Sequence, residues 1–150
     1  MEIAGEFVFD APQAGVWEVL RDPKALAVIV PMAMNMKQVA DNQYTGTLFF
    51  KVGAVAGAFH GKIELTNLQA PDSYDIEVRG SSPVGQAHIK GRMRLESLGD
   101  QTTMFYEGDI NFGGRIASVG SRLLDVSVRT IMEQSFKTLD RYLTIKHKKP

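Results

Sequence analysis

Hydrophobic and polar residues alternate with a period of two through most of the first 112 positions, which is typical of β-strands. The alternation begins in residues 2–9, EIAGEFVF, and returns from about Met34 to Phe112 in six further stretches separated by short turn sequences such as ADNQ, APDS and LGDQ. These connections are too short for parallel crossovers. We therefore expect the six later strands to form an antiparallel meander.

Helical patterns flank this strand region on both sides. DAPQAGVWEVLRDP predicts a short helix with Asp10 as a candidate N-cap, and PKALAVIVP predicts a second one between two prolines. A long final helix is predicted from about Arg115 to Leu143, with a basic tail over 146–150. The order of elements predicts an α+β fold, in which a curved seven-stranded antiparallel sheet packs around the C-terminal helix as a single domain over 1–145.

The mid-strand glycines share their parity with the large apolar residues, so they are predicted to lie on the inner face of the sheet. Two interpretations remain open at this point. Inner-face glycines let a sheet bend sharply around a helix, and they also leave a cavity where a larger side chain would fill the core. The strand residues predicted to line such a cavity are Gly46, Leu48, Phe50, Gly57, Phe59, Ile89, Met93, Met104, Tyr106, Gly108 and Ile110.

The stretch FGGRIASVGSRLLD, residues 112–125, opens the predicted long helix with small side chains. Ala117, Gly120 and Leu124 fall on the helix face that should meet the sheet, and this face becomes uniformly large only farther along. Small residues on the helix opposite glycines on the sheet favour a chamber between them. Ala117, Gly120 and Leu124 are therefore added to the predicted lining.

The first half of the same predicted helix carries a second apolar strip, roughly 100° around from the first face. Its members are Ile116, Val119, Leu123 and Val126. An apolar strip confined to half a helix indicates either packing beneath the two short helices or contact with a membrane or a partner protein. Both interpretations stay open from the sequence.

Composition narrows the function classes. The 17 basic residues balance 17 acidic ones, so no net charge attracts the chain to nucleic acid. The absence of cysteine excludes disulfides and thiolate metal sites. With no leader-like start and no apolar run near the ~20 residues needed to span a bilayer, we expect a cytoplasmic protein.

Residues suited to catalysis do not converge in the sequence pattern. His60 and His88 have outward parity, His147 lies in the tail, and no pair has the spacing of metal ligands. Tyr44, Tyr74 and Tyr106 supply inner-face hydroxyls that are candidates to donate a hydrogen bond to a ligand carbonyl. We expect no catalytic residue, no metal and no covalent cofactor.

Three segments together resemble the carbon monoxide dehydrogenase CoxG family, within the START or Bet v 1-like (SRPBCC) helix-grip superfamily. They are GEFVFDAPQAGVWEVLRDPKALAVIVP at 5–31, FFKVGAVAGAFHGKIEL at 49–65 and GGRIASVGSRLLD at 113–125. The resemblance implies an apolar cavity, a bound quinone or similar lipid, and an accessory role beside a molybdenum-containing carbon monoxide dehydrogenase. It also implies peripheral contact with the inner face of the cytoplasmic membrane.

The chain departs from the family pattern after Pro31, where Met32 and Ala33 stand in place of the usual Gly-Cys. Nothing that depends on that thiol is implied for this protein. Membrane contact would rest on the strip from Ile116 to Val126 and on the basic tail. The leading hypothesis is a non-catalytic carrier of a quinone or lipid. The alternatives are a tether that recruits an enzyme to the membrane, and an enzyme of the cyclase or aromatase type found elsewhere in the superfamily.

Overall fold

The computed structural model describes residues 1–30 and 32–147 and contains a seven-stranded antiparallel sheet with the strand order β1-β7-β6-β5-β4-β3-β2. Two short helices follow the first strand, and a long helix follows the last, so the predicted α+β helix-grip fold is confirmed. The elements are β1 (Glu2–Phe9), α1 (Gln13–Val19), α2 (Pro23–Ile29), β2 (Ala33–Ala40), β3 (Gln43–Val52), β4 (Val55–Gln69), β5 (Ser73–Ser82), β6 (Gly85–Leu98), β7 (Gln101–Gly113), a 3-10 helix (Arg115–Val119) and α3 (Ser121–His147).

A glycine pair allows β6 and β7 to approach more closely than side chains permit. Gly91 lies opposite Gly108 in the ladder. A Cβ atom on Gly108 would lie 2.8 Å from the carbonyl oxygen of Lys90, and one on Gly91 would lie 2.9 Å from that of Glu107. These glycines therefore serve the curvature of the sheet, because only residues without a Cβ fit a backbone crease this tight.

The two short helices start differently. In α2, Asp22 accepts a 2.9 Å hydrogen bond from the backbone N–H of Lys24, which satisfies one free donor of the first turn. In α1 the N-cap position is Pro12, which provides no side-chain cap. The prediction of Asp10 as the N-cap is wrong, since Asp10 precedes the helix and its backbone N–H donates to Asp140 in α3.

The C-terminal segment is divided at Gly120. Its φ of +98° lies in the left-handed region that favours glycine, and it ends the 3-10 helix before α3 begins at Ser121. The prediction of one continuous helix from Arg115 is therefore wrong at its start. At the other end α3 extends to His147, into the predicted tail, and residues 148–150 lie outside the described part of the chain.

The apolar interior consists of two clusters along α3. The first joins α1 and the distal half of α3 to the sheet and includes Phe9, Trp17, Leu139 and Leu143. The second surrounds the 3-10 helix and the start of α3. Each fully buried large side chain contributes about 1.5–3 kcal/mol, so both ends of α3 are anchored. The middle of α3 crosses the sheet between these clusters.

Candidate functional site

A cavity of about 290 Å³ lies between the inner face of the sheet and the middle of α3. Its described lining consists entirely of apolar side chains. They are Ile3, Leu48, Phe50, Phe59, Ile76, Val78, Ala87, Ile89, Ile110, Phe112, Val128, Ile131 and Met132.

Strand register and helix period bring this lining together. Leu48 lies opposite Phe59, and Ile89 lies opposite Ile110, with all four on the inner face. The ring of Phe112 lies parallel to that of Phe50, with centroids 6.2 Å apart. On α3, Val128, Ile131 and Met132 follow the i, i+3, i+4 spacing that puts residues on one helix face.

Five of the residues predicted from the sequence line the cavity: Leu48, Phe50, Phe59, Ile89 and Ile110. The others in its lining share the same strand parity or helix face, but parity does not tell how far along a strand a residue lies. That level follows from the pairing register. The lining residues missed in the prediction are Ile3, Ile76, Val78, Ala87, Phe112, Val128, Ile131 and Met132.

Three predicted lining residues are instead packed in the clusters at the two ends. Met93 and Met104 are buried with Phe9 and Trp17 in the first cluster. Leu124 is buried in the second cluster with the 3-10 helix. These side chains fill the core on either side of the cavity, so they limit its length.

The structure places the predicted lining glycines outside the cavity. The space above Gly46 is taken by the side chain of Met36, and a Cβ atom on Gly57 would lie 2.7 Å from Val84 Cγ2. Gly108 lies in the crease between β6 and β7. The empty volume therefore does not come from these glycines.

The expectation that Ala117 and Gly120 roof the chamber is wrong, because both are exposed. The break at Gly120 changes the direction of the chain, so the periodicity of α3 does not extend back through the 3-10 helix. The roof is formed one turn and more into α3, by Val128, Ile131 and Met132.

The predicted apolar strip is divided by the same break. Ile116 is fully buried, and its backbone N–H donates a 2.7 Å hydrogen bond to the carbonyl of Val84. Val119 is partly buried and packs against the second cluster. Leu123 and Val126 remain 49% and 57% exposed. The prediction of a surface strip is wrong for Ile116, and only Leu123 and Val126 present a large exposed apolar surface.

The three inner tyrosines have different environments. Tyr44 donates a 2.8 Å hydrogen bond to the carbonyl of Arg21, and burial raises its pKa. Tyr74 packs against Trp17, with ring centroids 5.6 Å apart, and burial raises its pKa far above the usual value. Both belong to the first cluster. Tyr106, on β7, reaches toward the other side of α3.

Tyr106 lines a second, smaller hollow of about 200 Å³ between the edge strand β1 and α3. This hollow combines polar and aromatic groups, and Met132 borders both it and the apolar cavity. Its lining residues are Glu6, Phe7, Tyr106, Arg129, Met132, Glu133 and Phe136.

The histidines of the strands lie away from both hollows. His60 forms a 3.0 Å hydrogen bond with Thr47, and His88 forms one of 2.6 Å with Glu77, which lowers the pKa of that carboxyl group. Within the described ranges, no group of three metal-binding carboxylate or imidazole side chains is present. Among the described helices, none combines the length and apolar character needed to cross a bilayer.

Comparisons with known proteins agree with this architecture. The model of the carbon monoxide dehydrogenase CoxG family matches residues 5–144. A search of curated protein sequences finds no match.

Solved structures show the same fold. A conserved protein from Geobacillus kaustophilus superposes with a TM-score of 0.90 at 22% identity, over 96% of this chain and 95% of that one. Protein Ms6760 from Mycobacterium smegmatis gives 0.69 at 18% identity, over 97% and 92%. The ZhuI aromatase/cyclase from Streptomyces sp. R1128 gives 0.71 at 14% identity, over 99% and 96%. At these identities the likeness concerns the fold alone.

Proposed function

The chain belongs to the carbon monoxide dehydrogenase CoxG family, and from that premise we propose that it is a non-catalytic binding protein for an apolar small molecule. A quinone or a similar lipid is the ligand class that fits, and a molybdenum-containing dehydrogenase at the membrane is the enzyme it would serve. The observation that carries the proposal is the apolar cavity of about 290 Å³ beneath α3.

The chemistry of the lining favours binding over catalysis. None of the described side chains around the cavity carries a group that exchanges a proton or attacks a carbonyl. A general acid or base must lie within about 3 Å of the atom on which it acts. A hydrocarbon chain needs no such partner, and its burial releases about 25 cal/mol per Å² of apolar surface.

The size of the cavity limits what it encloses. It is larger than the apolar cavity of ~150 Å³ that holds a benzene molecule, and it is close to the lower end of the ~300–1,000 Å³ of small-molecule sites. A long lipid therefore exceeds it. The cavity fits one part of such a ligand, and the remainder must extend beyond the lining residues.

Recruitment to a membrane or an enzyme is a second role, and one observation favours it. Leu123 and Val126 lie on the outer side of α3 with about half of each side chain exposed. Leu123 also lies beside the β3–β4 turn, with Cδ1 4.0 Å from the position that a Cβ atom of Gly53 would occupy. Two exposed apolar side chains at one end of the molecule are typical of a weak contact surface.

The test of ligand binding uses a substitution that fills the cavity. Ala87 belongs to the lining, so Ala87→Leu is expected to occupy space that the ligand needs while the protein stays folded. Ala40→Leu, at an exposed position of β2, is the matched control. Organic extracts of each purified protein are analysed by mass spectrometry for a stoichiometric quinone or lipid.

We expect the apolar molecule in the unchanged protein and in Ala40→Leu, and its loss from Ala87→Leu. Empty preparations of all three proteins from a quinone-rich host would contradict the carrier proposal and favour recruitment. Equal occupancy in a well-folded Ala87→Leu variant would place the ligand outside the cavity.

A further inference from the structure

We propose that the smaller hollow beside β1 binds the oxygen-bearing head of the same ligand whose apolar part occupies the main cavity. This inference rests on the proposed function, because it assigns the two ends of one amphipathic molecule to two adjoining compartments. The head that fits is an uncharged ring carrying carbonyl or hydroxyl oxygens.

The first element of the site is the free edge of β1. Met1 and Ile110 exchange two backbone hydrogen bonds of 2.8 Å. In an antiparallel ladder such pairs alternate with pairs whose N–H and C=O groups point away from the partner strand. Counting along β1, the backbone groups of Glu6 point away from β7, toward the open edge where the hollow lies. They are a donor and an acceptor available to a ligand.

The second element is the hydroxyl of Tyr106. Tyr106 on β7 lies opposite Gly5 on β1. Its phenol extends across that glycine, so that a Cβ atom built on Gly5 would lie 2.5 Å from the hydroxyl oxygen. Because position 5 has no side chain, the hydroxyl reaches β1 beside the hollow.

The third element is the guanidinium group of Arg129 on α3. Its Nε lies 3.0 Å from both carboxylate oxygens of Asp125. This pair orients the group and engages only one of its five N–H donors. Arg129 and Tyr106 thus place donors on opposite walls of the hollow, which suits oxygen acceptors on the ligand.

Charge and shape restrict the class of head group. Glu6 and Glu133 add negative charge to the rim, and Glu133 is paired with Lys137 at 2.9 Å. This balance disfavours an anionic head such as a phosphate. The ring of Phe136 lies 5.6 Å from Phe7 and 5.2 Å from Tyr106, measured between centroids. These aromatic surfaces suit a flat ring.

The connection between the compartments is Met132, which lines both. Methionine has three rotatable side-chain bonds and adapts to the shape of its neighbours. A rotamer change at this position would open a passage from the polar hollow to the cavity. One molecule can then place its ring beside β1 and its chain beneath α3.

The experiment compares two probes that differ only in the head: a benzoquinone bearing a decyl chain, and decylbenzene. Their Kd values are measured by displacement of one solvatochromic apolar dye. The variants are Tyr106→Phe and Arg129→Gln. The controls are Tyr142→Phe and Arg122→Gln, which change the same residue types on α3 outside the lining of this hollow.

We expect each site variant to weaken the quinone by about fivefold, the equivalent of one net hydrogen bond, and to leave decylbenzene within about twofold. The control variants should leave both probes unchanged. If both probes bind the unchanged protein and neither site variant weakens the quinone, the head lies elsewhere and the inference is overturned. An equal loss for both probes overturns it as well, since the variants would then act through packing. If neither probe binds the unchanged protein, the proposed function fails and takes this inference with it.

Discussion

The phenol ring of Tyr106 lies across Gly5. The two residues are opposite each other in the β1–β7 ladder, and a Cβ atom on Gly5 would lie 2.5 Å from the tyrosine oxygen and 2.9 Å from Cζ. The glycine therefore provides the space in which the ring reaches the edge of the sheet. Its role is local and differs from that of Gly108, whose close neighbours are backbone atoms of β6.

Gly5→Ala is expected to displace Tyr106 while the protein stays folded. The new methyl group meets the end of a side chain that can rotate, so the free energy of unfolding should fall by only about 1 kcal/mol. Affinity for the decyl benzoquinone should fall as it does in Tyr106→Phe. Chemical denaturation and the dye-displacement assay measure the two effects. Unchanged quinone binding would show that the position of the tyrosine hydroxyl does not matter.

Gly108→Ala is expected to cost more stability than Gly5→Ala. Here the methyl group would lie 2.8 Å from the Lys90 carbonyl oxygen and 3.1 Å from Gly91 Cα, and the backbone cannot move without separating β6 from β7. We expect a loss at the upper end of the ~1–3 kcal/mol typical of overpacking.

The matched control for this substitution is Gly61→Ala in β4, where the nearest atom to the new Cβ would lie 3.5 Å away, an ordinary contact. Its effect should be close to neutral, because alanine also reduces the entropy of the unfolded chain. Equal melting temperatures for Gly61→Ala and Gly108→Ala would contradict the assignment of a backbone crease to Gly91 and Gly108.

Tyr74 predicts the behaviour of the protein at high pH. Burial raises the pKa of its phenol above the ordinary value of 10.0. The neutral form is therefore favoured in the folded state, and this contribution to stability is fully present below pH 10 and is lost as the pH rises toward the folded pKa. Tyr74→Phe should show a smaller loss of stability above about pH 10 than the unchanged protein.

Absorbance of the phenolate at alkaline pH and circular dichroism follow ionisation and unfolding together. In the unchanged protein, ionisation of Tyr74 should coincide with loss of structure. A Tyr74→Phe variant with the same alkaline unfolding curve as the unchanged protein would contradict this assignment.

Strand alternation predicts the inner face well but does not predict the extent of the cavity. Leu48 and Phe59 were placed correctly because side chains alternate between the two faces of a strand. Met93 has the same parity, yet it is buried in the first cluster. The difference lies in the position along the strand, and that depends on cross-strand register and on the path of α3.

The break at Gly120 could not be read from the periodicity of the segment. A glycine inside a helix costs only about 1 kcal/mol relative to alanine, so its presence alone does not indicate an end. The left-handed conformation at Gly120 and the burial of Ile116 depend on contacts with the second cluster. These contacts join residues distant in sequence, which no local pattern describes.

The divided strip gives the last prediction, which separates a core position from a surface one. Ile116 is fully buried, so Ile116→Ala should lower the free energy of unfolding by about 2–5 kcal/mol. Leu123 and Val126 are about half exposed, so replacing both with glutamate should change stability by only about 1 kcal/mol in total, near the range for surface positions. Thermal melting measures both effects. If the pair at Leu123 and Val126 contacts a membrane, the double variant should also lose binding to liposomes in a flotation assay, whereas Val39→Glu, an exposed change on β2, should not. A folded double variant that binds liposomes as the unchanged protein does would rule out this surface as the contact.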